Sequence, residues 1–214
     1  MGKAGLKHTL FMLFLCVTGA LLNITIAYAA LNIPIPVYLD TVLTMTMTFY
    51  GGLFWGVLTG TLTNLISHTV WFYSWGDYLF TLCNIAVALI TALFIRIFPG
   101  ELIFGKRLPV QESRRYKTML DRTVALTLLS FALCLVISIM GGIIAASIKI
   151  FNVYGGGTGP ELFFSPFLHR KNLSVFIVEI LSRIPVNIID RLISSFGGYG
   201  LALLLAKRKG RVQF

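Results

Sequence analysis

Apolar runs separated by short polar breaks make up nearly the whole chain. They cover about residues 9–30, 38–50, 52–67, 78–98, 122–148 and 173–206. An α-helix rises ~1.5 Å per residue and a bilayer's hydrocarbon core is ~30 Å thick, so about 20 apolar residues make one crossing. The first, fourth and fifth runs fit that length. The stretch from Thr41 to Ser67 carries no charged side chain; as one helix it would be about 40 Å long, too long for a perpendicular crossing. Gly51 and Gly52 interrupt it near the middle. The pattern therefore predicts either one tilted helix or two short helices that turn back at the glycine pair.

Charge placement separates these two readings. The chain has 18 Lys and Arg against 8 Asp and Glu, a net charge of +10. Most of the basic residues fall in three clusters: Lys3 and Lys7; Arg96, Lys106, Arg107, Arg114, Arg115, Lys117 and Arg122; and Lys207, Arg208, Lys209 and Arg211. Cytoplasmic loops retain Lys and Arg in this way, and the clustering flanks apolar runs rather than forming a nucleic-acid surface, so no nucleic-acid partner is expected. With the N-terminus inside, a single helix over 38–67 would put the basic loop at 99–121 outside. Two helices, 38–50 and 52–67, put it inside together with the C-terminal cluster. Parity thus predicts an all-α membrane protein, one transmembrane domain over 1–214, with six helices and both termini cytoplasmic. The external loops would be about Leu31–Val37, His68–Asp77 and Lys149–Lys171. Pro185 lacks an N–H and divides the last run, predicting a short external helix at 173–184 and a sixth spanning helix at 186–206, with a single kinked, tilted helix as the alternative.

Composition agrees: 57% of residues are hydrophobic, 12% are charged and mean hydropathy is +0.84. A soluble domain needs a more charged surface, so lipid is the expected solvent and the cell membrane the expected location. The run after His8 reaches Leu39, longer than the apolar core of a signal peptide, and is expected to remain as a spanning helix. Cys16, Cys83 and Cys134 lie within apolar runs without metal-site or disulfide spacing.

Several polar residues interrupt the apolar runs. Gly52, Gly56 and Gly60 recur every fourth residue and predict a close-packing helix face. Asn64 continues that face, and Asn84 lies about two turns into the fourth helix; each must bond a helix, water or a ligand. Glu179, Arg183, Asn187, Asp190 and Arg191 stand within 13 residues of apolar sequence. Glu179 and Arg183 are four apart and pair on one face. Ionisable groups at membrane depth face a cavity or a partner, so this set is either a ligand site or a self-neutralising lock on the last helix. Trp71, Tyr73 and Trp75 are either interfacial aromatics or a clamp for a flat ligand. Asp40 reads as a helix-start residue favoured by the dipole. His68 and His169 are isolated, and neither a metal-binding His-Glu-x-x-His nor a Gly-x-Ser-x-Gly elbow occurs. Neither catalysis nor a cofactor or metal is expected.

The stretch Leu31–Ser67, LNIPIPVYLDTVLTMTMTFYGGLFWGVLTGTLTNLIS, resembles the substrate-binding S component of energy-coupling factor (ECF) transporters. That family has a loop after helix 1, a short second helix, and a Gly-x-x-x-Gly third helix ending in Asn or Asp. The segment Arg183–Arg208, RIPVNIIDRLISSFGGYGLALLLAKR, is similar to the family's last helix. The resemblance covers about 60 of 214 residues. It implies a membrane receptor that captures a vitamin or similar micronutrient near the outer face. It also implies partners, a transmembrane coupling subunit and two ATPase subunits. Carried over by position, Asn84, Asn187 and Asp190 become ligand contacts, Glu179 and Arg183 further contacts, and Asn32, Trp71 and Tyr73 lid or clamp residues. The family's docking Ala-x-x-x-Ala on helix 1 has Cys16-x-x-x-Ala20 or the Gly19, Asn23, Ala27 face as its nearest matches here. The alternative reading is a membrane sensory module that signals through a partner protein.

Overall fold

The computed structural model describes residues 3–31, 36–70, 75–102, 112–151, 159–169 and 173–208. These form eight α-helices: α1 (Lys3–Leu31), α2 (Val42–Gly51), α3 (Leu53–Val70), α4 (Thr81–Ile97), α5 (Pro99–Leu102), α6 (Glu112–Ile150), α7 (Ser165–His169) and α8 (Val175–Arg208). Short 3-10 turns at Trp75–Phe80 and Pro160–Phe163 lead into α4 and α7, and no strand occurs among the described residues. Four segments are long and apolar enough to cross a membrane: Gly5–Ala30, Trp75–Ile97, Met119–Ile150 and Val175–Arg208. Their outward faces expose large apolar side chains such as Phe14, Leu21, Leu93, Leu135 and Leu204, a surface that water disfavours and hydrocarbon accepts.

The glycine pair does break the Thr41–Ser67 run. α2 ends at Gly51, and Gly52 turns the chain with φ +93, a left-handed backbone that glycine adopts without strain. Gly56 backs onto Thr48 and Gly60 onto Thr44. The contact moves four residues up α3 as it moves four residues down α2, so the two helices are antiparallel. Gly60 also meets Asn84 of α4. The four-residue spacing predicts that Gly52 shares this packing face, but it does not: a methyl group there meets nothing within 4 Å. Its task is the turn, while Gly56 and Gly60 allow the close approach.

The hairpin explains how a ten-residue helix fits a membrane fold. Nearly all of α2 is buried, enclosed by α1, α3, α4 and α8. Its threonines therefore meet protein rather than lipid, and the Thr46 and Thr48 hydroxyls donate to the Val42 and Thr44 carbonyls at 2.9 and 2.8 Å. Asn23 ties the same region together from α1. Its amide nitrogen donates to Thr44 Oγ1 and Thr63 Oγ1 at 3.3 and 3.2 Å, and its oxygen accepts the Leu43 N–H at 2.8 Å. Cys16, Ala20 and Asn23 are all fully buried.

The last apolar run is one helix, not two. α8 continues through Pro185, correcting the expected division into 173–184 and 186–206. A proline inside a helix removes one backbone hydrogen bond; here Ser182 and Val186 on either side are both fully buried, and packing holds the axis. Gly142 of α6 lies against the Ile180 backbone and Gly141 against the Arg183 side chain, which brings α6 and α8 into close contact around that point.

An apolar core of Met12, Met45, Phe49, Leu129, Leu133 and Tyr199 packs along the helices. The end of the bundle holding the C-terminal ends of α1, α3 and α6 and the N-terminal ends of α4 and α8 instead encloses a cavity.

Candidate functional site

The cavity has a volume of about 490 Å³. Its wall combines apolar residues (Ile24, Ala27, Phe80, Val87, Ile137, Ile148) with a dense set of polar and charged groups. Volumes of 300–1,000 Å³ with a few convergent polar groups are typical of small-molecule sites.

Three carboxamides stand in the wall. Asn64 donates to the Phe80 carbonyl at 3.1 Å, which fastens α3 to the turn before α4. Asn84 donates to Asp40 Oδ2 at 3.4 Å, and Asn187 to Ser138 Oγ at 2.9 Å. Asn84 and Asn187 are each only 1% exposed, and among the described residues the side-chain oxygen of each has no hydrogen-bond partner. A buried acceptor without a donor costs about 1–3 kcal/mol. Here two such acceptors line the same cavity.

Glu179 and Arg183 pair as their four-residue spacing predicts, at 3.8 Å, but each has a nearer partner. Lys149 of α6 reaches Glu179 Oε1 at 2.5 Å, and Arg183 Nη2 reaches Glu161 Oε1 at 2.8 Å. The Tyr38 hydroxyl donates to the other Glu161 oxygen at 2.5 Å. The Arg183 guanidinium also lies over the Phe80 ring, 5.8 Å from its centroid, within cation–π range.

Asp190 does not line the cavity and is not placed to touch a ligand there. It is fully buried behind the wall. One oxygen accepts the Leu39 N–H at 2.6 Å and the other pairs with Arg191 Nη2 at 2.7 Å. Leu39 has φ 53, a left-handed conformation unusual for a branched side chain, and Asp190 holds that bend. Arg191 donates to Thr41 Oγ1 at 2.7 Å and lies 3.9 Å from Asp40. The extended segment at 36–40 is thereby strapped to α8 and presents Tyr38 and Asp40 to the cavity. Asn32, Trp71 and Tyr73 lie outside the described residues. Trp75 is 87% exposed and packs near Tyr78, away from the cavity wall.

Tyr38, Lys149 and Glu161 join the site without having been singled out from the sequence as ligand groups, Arg191 joins it from the polar set of the last run, and Asp40 does more than begin a helix. Scarcity is the signal that marks the acids. The chain has 8 acidic residues, and Asp40, Asp77, Glu161 and Glu179 line this cavity with Asp190 directly behind it. The bases among these groups are Lys149, Arg183 and Arg191, so the site is acidic on balance.

Burial pushes the Asp40 carboxyl up to about 6, with Asp190 adding to the rise and Arg191 opposing it. Burial also drives the Tyr38 phenol well above its ordinary value, and neighbouring Glu161 reinforces this. Tyr38 is therefore a hydrogen-bond donor throughout the physiological range. Among the described residues no three His, Cys, Asp or Glu side chains group as metal ligands. Among the described residues the wall thus combines unpartnered acceptors on Asp40, Asn84 and Asn187 with unpartnered donors on Arg183 and Arg191.

No protein-family model matches the chain, and no characterised protein or solved structure matches it.

Proposed function

We propose that the chain is the substrate-binding subunit of an ECF-type importer in a prokaryotic plasma membrane. It captures a vitamin-like micronutrient in the cavity and hands it on through a transmembrane coupling subunit driven by two ATPase subunits. In this reading α1, α2, α3, α4, α6 and α8 are the six membrane helices of a single domain, both termini are cytoplasmic, and the cavity opens to the outside. Lys7, Arg96, Arg122, Lys207 and Arg208 lie toward the helix ends remote from the cavity, and the positive-inside rule assigns that end to the cytoplasm. α2 is too short to span a bilayer alone, but its enclosure by α1, α3, α4 and α8 removes the need.

The observation that carries the reading is the pair of buried, unpartnered carboxamide oxygens, Asn84 Oδ1 and Asn187 Oδ1, in the wall of a cavity of small-molecule size. A merely structural polar lock satisfies its own groups; among the described residues this one leaves two buried acceptors, on residues of the cavity wall, without a donor. Purification from native membranes under mild detergent tests the assignment. The expected result is co-isolation of a membrane coupling subunit and two ATPases, with ATP-dependent accumulation of substrate in reconstituted vesicles. Recovery with a sensor kinase and no ATPase would overturn it.

A further inference from the structure

The cavity contains an arginine and a lysine, which at first suggest an anionic ligand. The geometry removes both from that task. Arg183 lies between Glu161 at 2.8 Å and Glu179 at 3.8 Å, and Lys149 is held by Glu179 at 2.5 Å. Arg191 is held by Asp190 at 2.7 Å. Every cation in the wall therefore already faces a carboxylate. Asp40 is only loosely paired: its nearest cation, Arg191, is 3.9 Å away and committed to Asp190. Among the described residues Asp40 Oδ1 and the carboxamide oxygens of Asn84 and Asn187 have no hydrogen-bond partner; Arg183 Nη1 and Arg191 Nε also lack one, but each of those guanidiniums is already ion-paired.

From this arrangement we infer that the site selects an organic cation bearing at least two N–H donors, with Asp40 receiving the charge and Asn84 and Asn187 accepting the donors. The inference rests on the cavity being a ligand site, as proposed above, and names the class of ligand. An anion would meet those unpaired acceptors and four carboxylates against three cations that are already ion-paired, a balance that disfavours it. A cation instead pairs with Asp40, whose nearest cation is 3.9 Å away, and a charged hydrogen bond is stronger than a neutral one.

Asp40 also gives the selection a pH signature. Its neighbours are Arg191 and Asp190 from α8, Cys83 and Asn84 from α4, and Tyr38 from its own segment. With its carboxyl near 6, Asp40 is largely protonated at pH 5 and largely ionised at pH 7. A cation bound through it gains affinity as pH rises across that interval, by about tenfold. An acid raised in this way also favours the folded state most below its unfolded value of ~3.9 and loses that contribution as pH rises toward 6. Cation binding offsets that loss.

Benzamidine, benzamide and benzoate share one flat frame and differ in charge and donor count, which makes them suitable probes. Binding of each to the full-length protein in nanodiscs is measured by calorimetry at pH 5 and pH 7, with wild type and D40N. Benzamidine is expected to bind wild type at least about tenfold more tightly than benzoate at pH 7, and to weaken about tenfold at pH 5. In D40N both the preference and the pH dependence should disappear, while His68, which also lines the cavity, is unchanged. Benzoate binding as tightly as benzamidine would overturn the cation assignment and leave the ligand-site reading standing. Failure of all three probes would also overturn it. The wild-type comparison decides the matter even if D40N does not fold.

Discussion

Replacing Arg183 by methionine is expected to be among the most damaging single changes in this protein, costing about 3–5 kcal/mol of stability. The side chain is 5% exposed, between Glu161 and Glu179 at 9% and 1%. Methionine fills much of the volume but leaves Glu161 buried with only the Tyr38 hydroxyl beside it. Glu179 keeps Lys149, so Glu161 is the uncompensated charge. The loss therefore comes from stranding a partner, and R183M combined with E161Q should recover most of it. Lysine is not an adequate replacement: a compact ammonium cannot reach two carboxylates as the planar guanidinium does. Unfolding of the bilayer-reconstituted protein, compared across R183M, E161Q and the double variant as a cycle, measures the coupling. Equal and additive losses would show that the pair does not interact.

The second large effect is expected at Asp190, and it separates two roles that the sequence leaves together. Asp190→Ala removes the anion held 2.7 Å from Arg191 and the acceptor of the Leu39 N–H. Arg191 is then a buried cation with its nearest acid 3.9 Å away. A cost of about 3–5 kcal/mol follows, together with loss of the strap that presents Tyr38 and Asp40. Asp190→Asn keeps an acceptor for Leu39 and loses only the charge, so the strap and the cavity should persist with a smaller loss of stability. Ligand affinity in D190N should stay within about tenfold of wild type, because Asp190 acts on the ligand only through Asp40 and Arg191. Complete loss of binding in a folded D190N protein would place Asp190 in direct contact with the ligand instead.

Helical periodicity made some of this legible in the sequence and concealed the rest. The row Glu179, Arg183, Asn187 and Arg191 keeps a spacing of four, and all four residues do line the cavity. Asp190 lies one position off that row, and at about 100° per residue this small offset turns it toward the strap. Periodicity gives a residue's face on its own helix but not which neighbour that face meets. The Arg183–Glu161 pair had no such signal: Glu161 sits in a short turn far from any repeating pattern, and only tertiary folding brings it to α8. Asn23 was visible as a lone amide in an apolar helix, but its partners come from α2 and α3. The break at Pro185 failed for a different reason. A proline's cost of a few kcal/mol is a local penalty, and α8 meets it with close packing against Gly141 and Gly142. The turn at Gly51-Gly52 was the most readable feature, because helix length against bilayer thickness raised it and charge parity selected it.

The central claim is that the cavity holds a small organic molecule through Asn84 and Asn187. Native mass spectrometry of the full-length protein, released from nanodiscs alongside a variant carrying N84L and N187L, tests it most directly. Leucine matches asparagine in size, so the variant should fold. The account predicts a retained small molecule on wild type and none on the folded double variant. A folded wild-type protein that carries nothing, or the same compound retained equally by both, would contradict it.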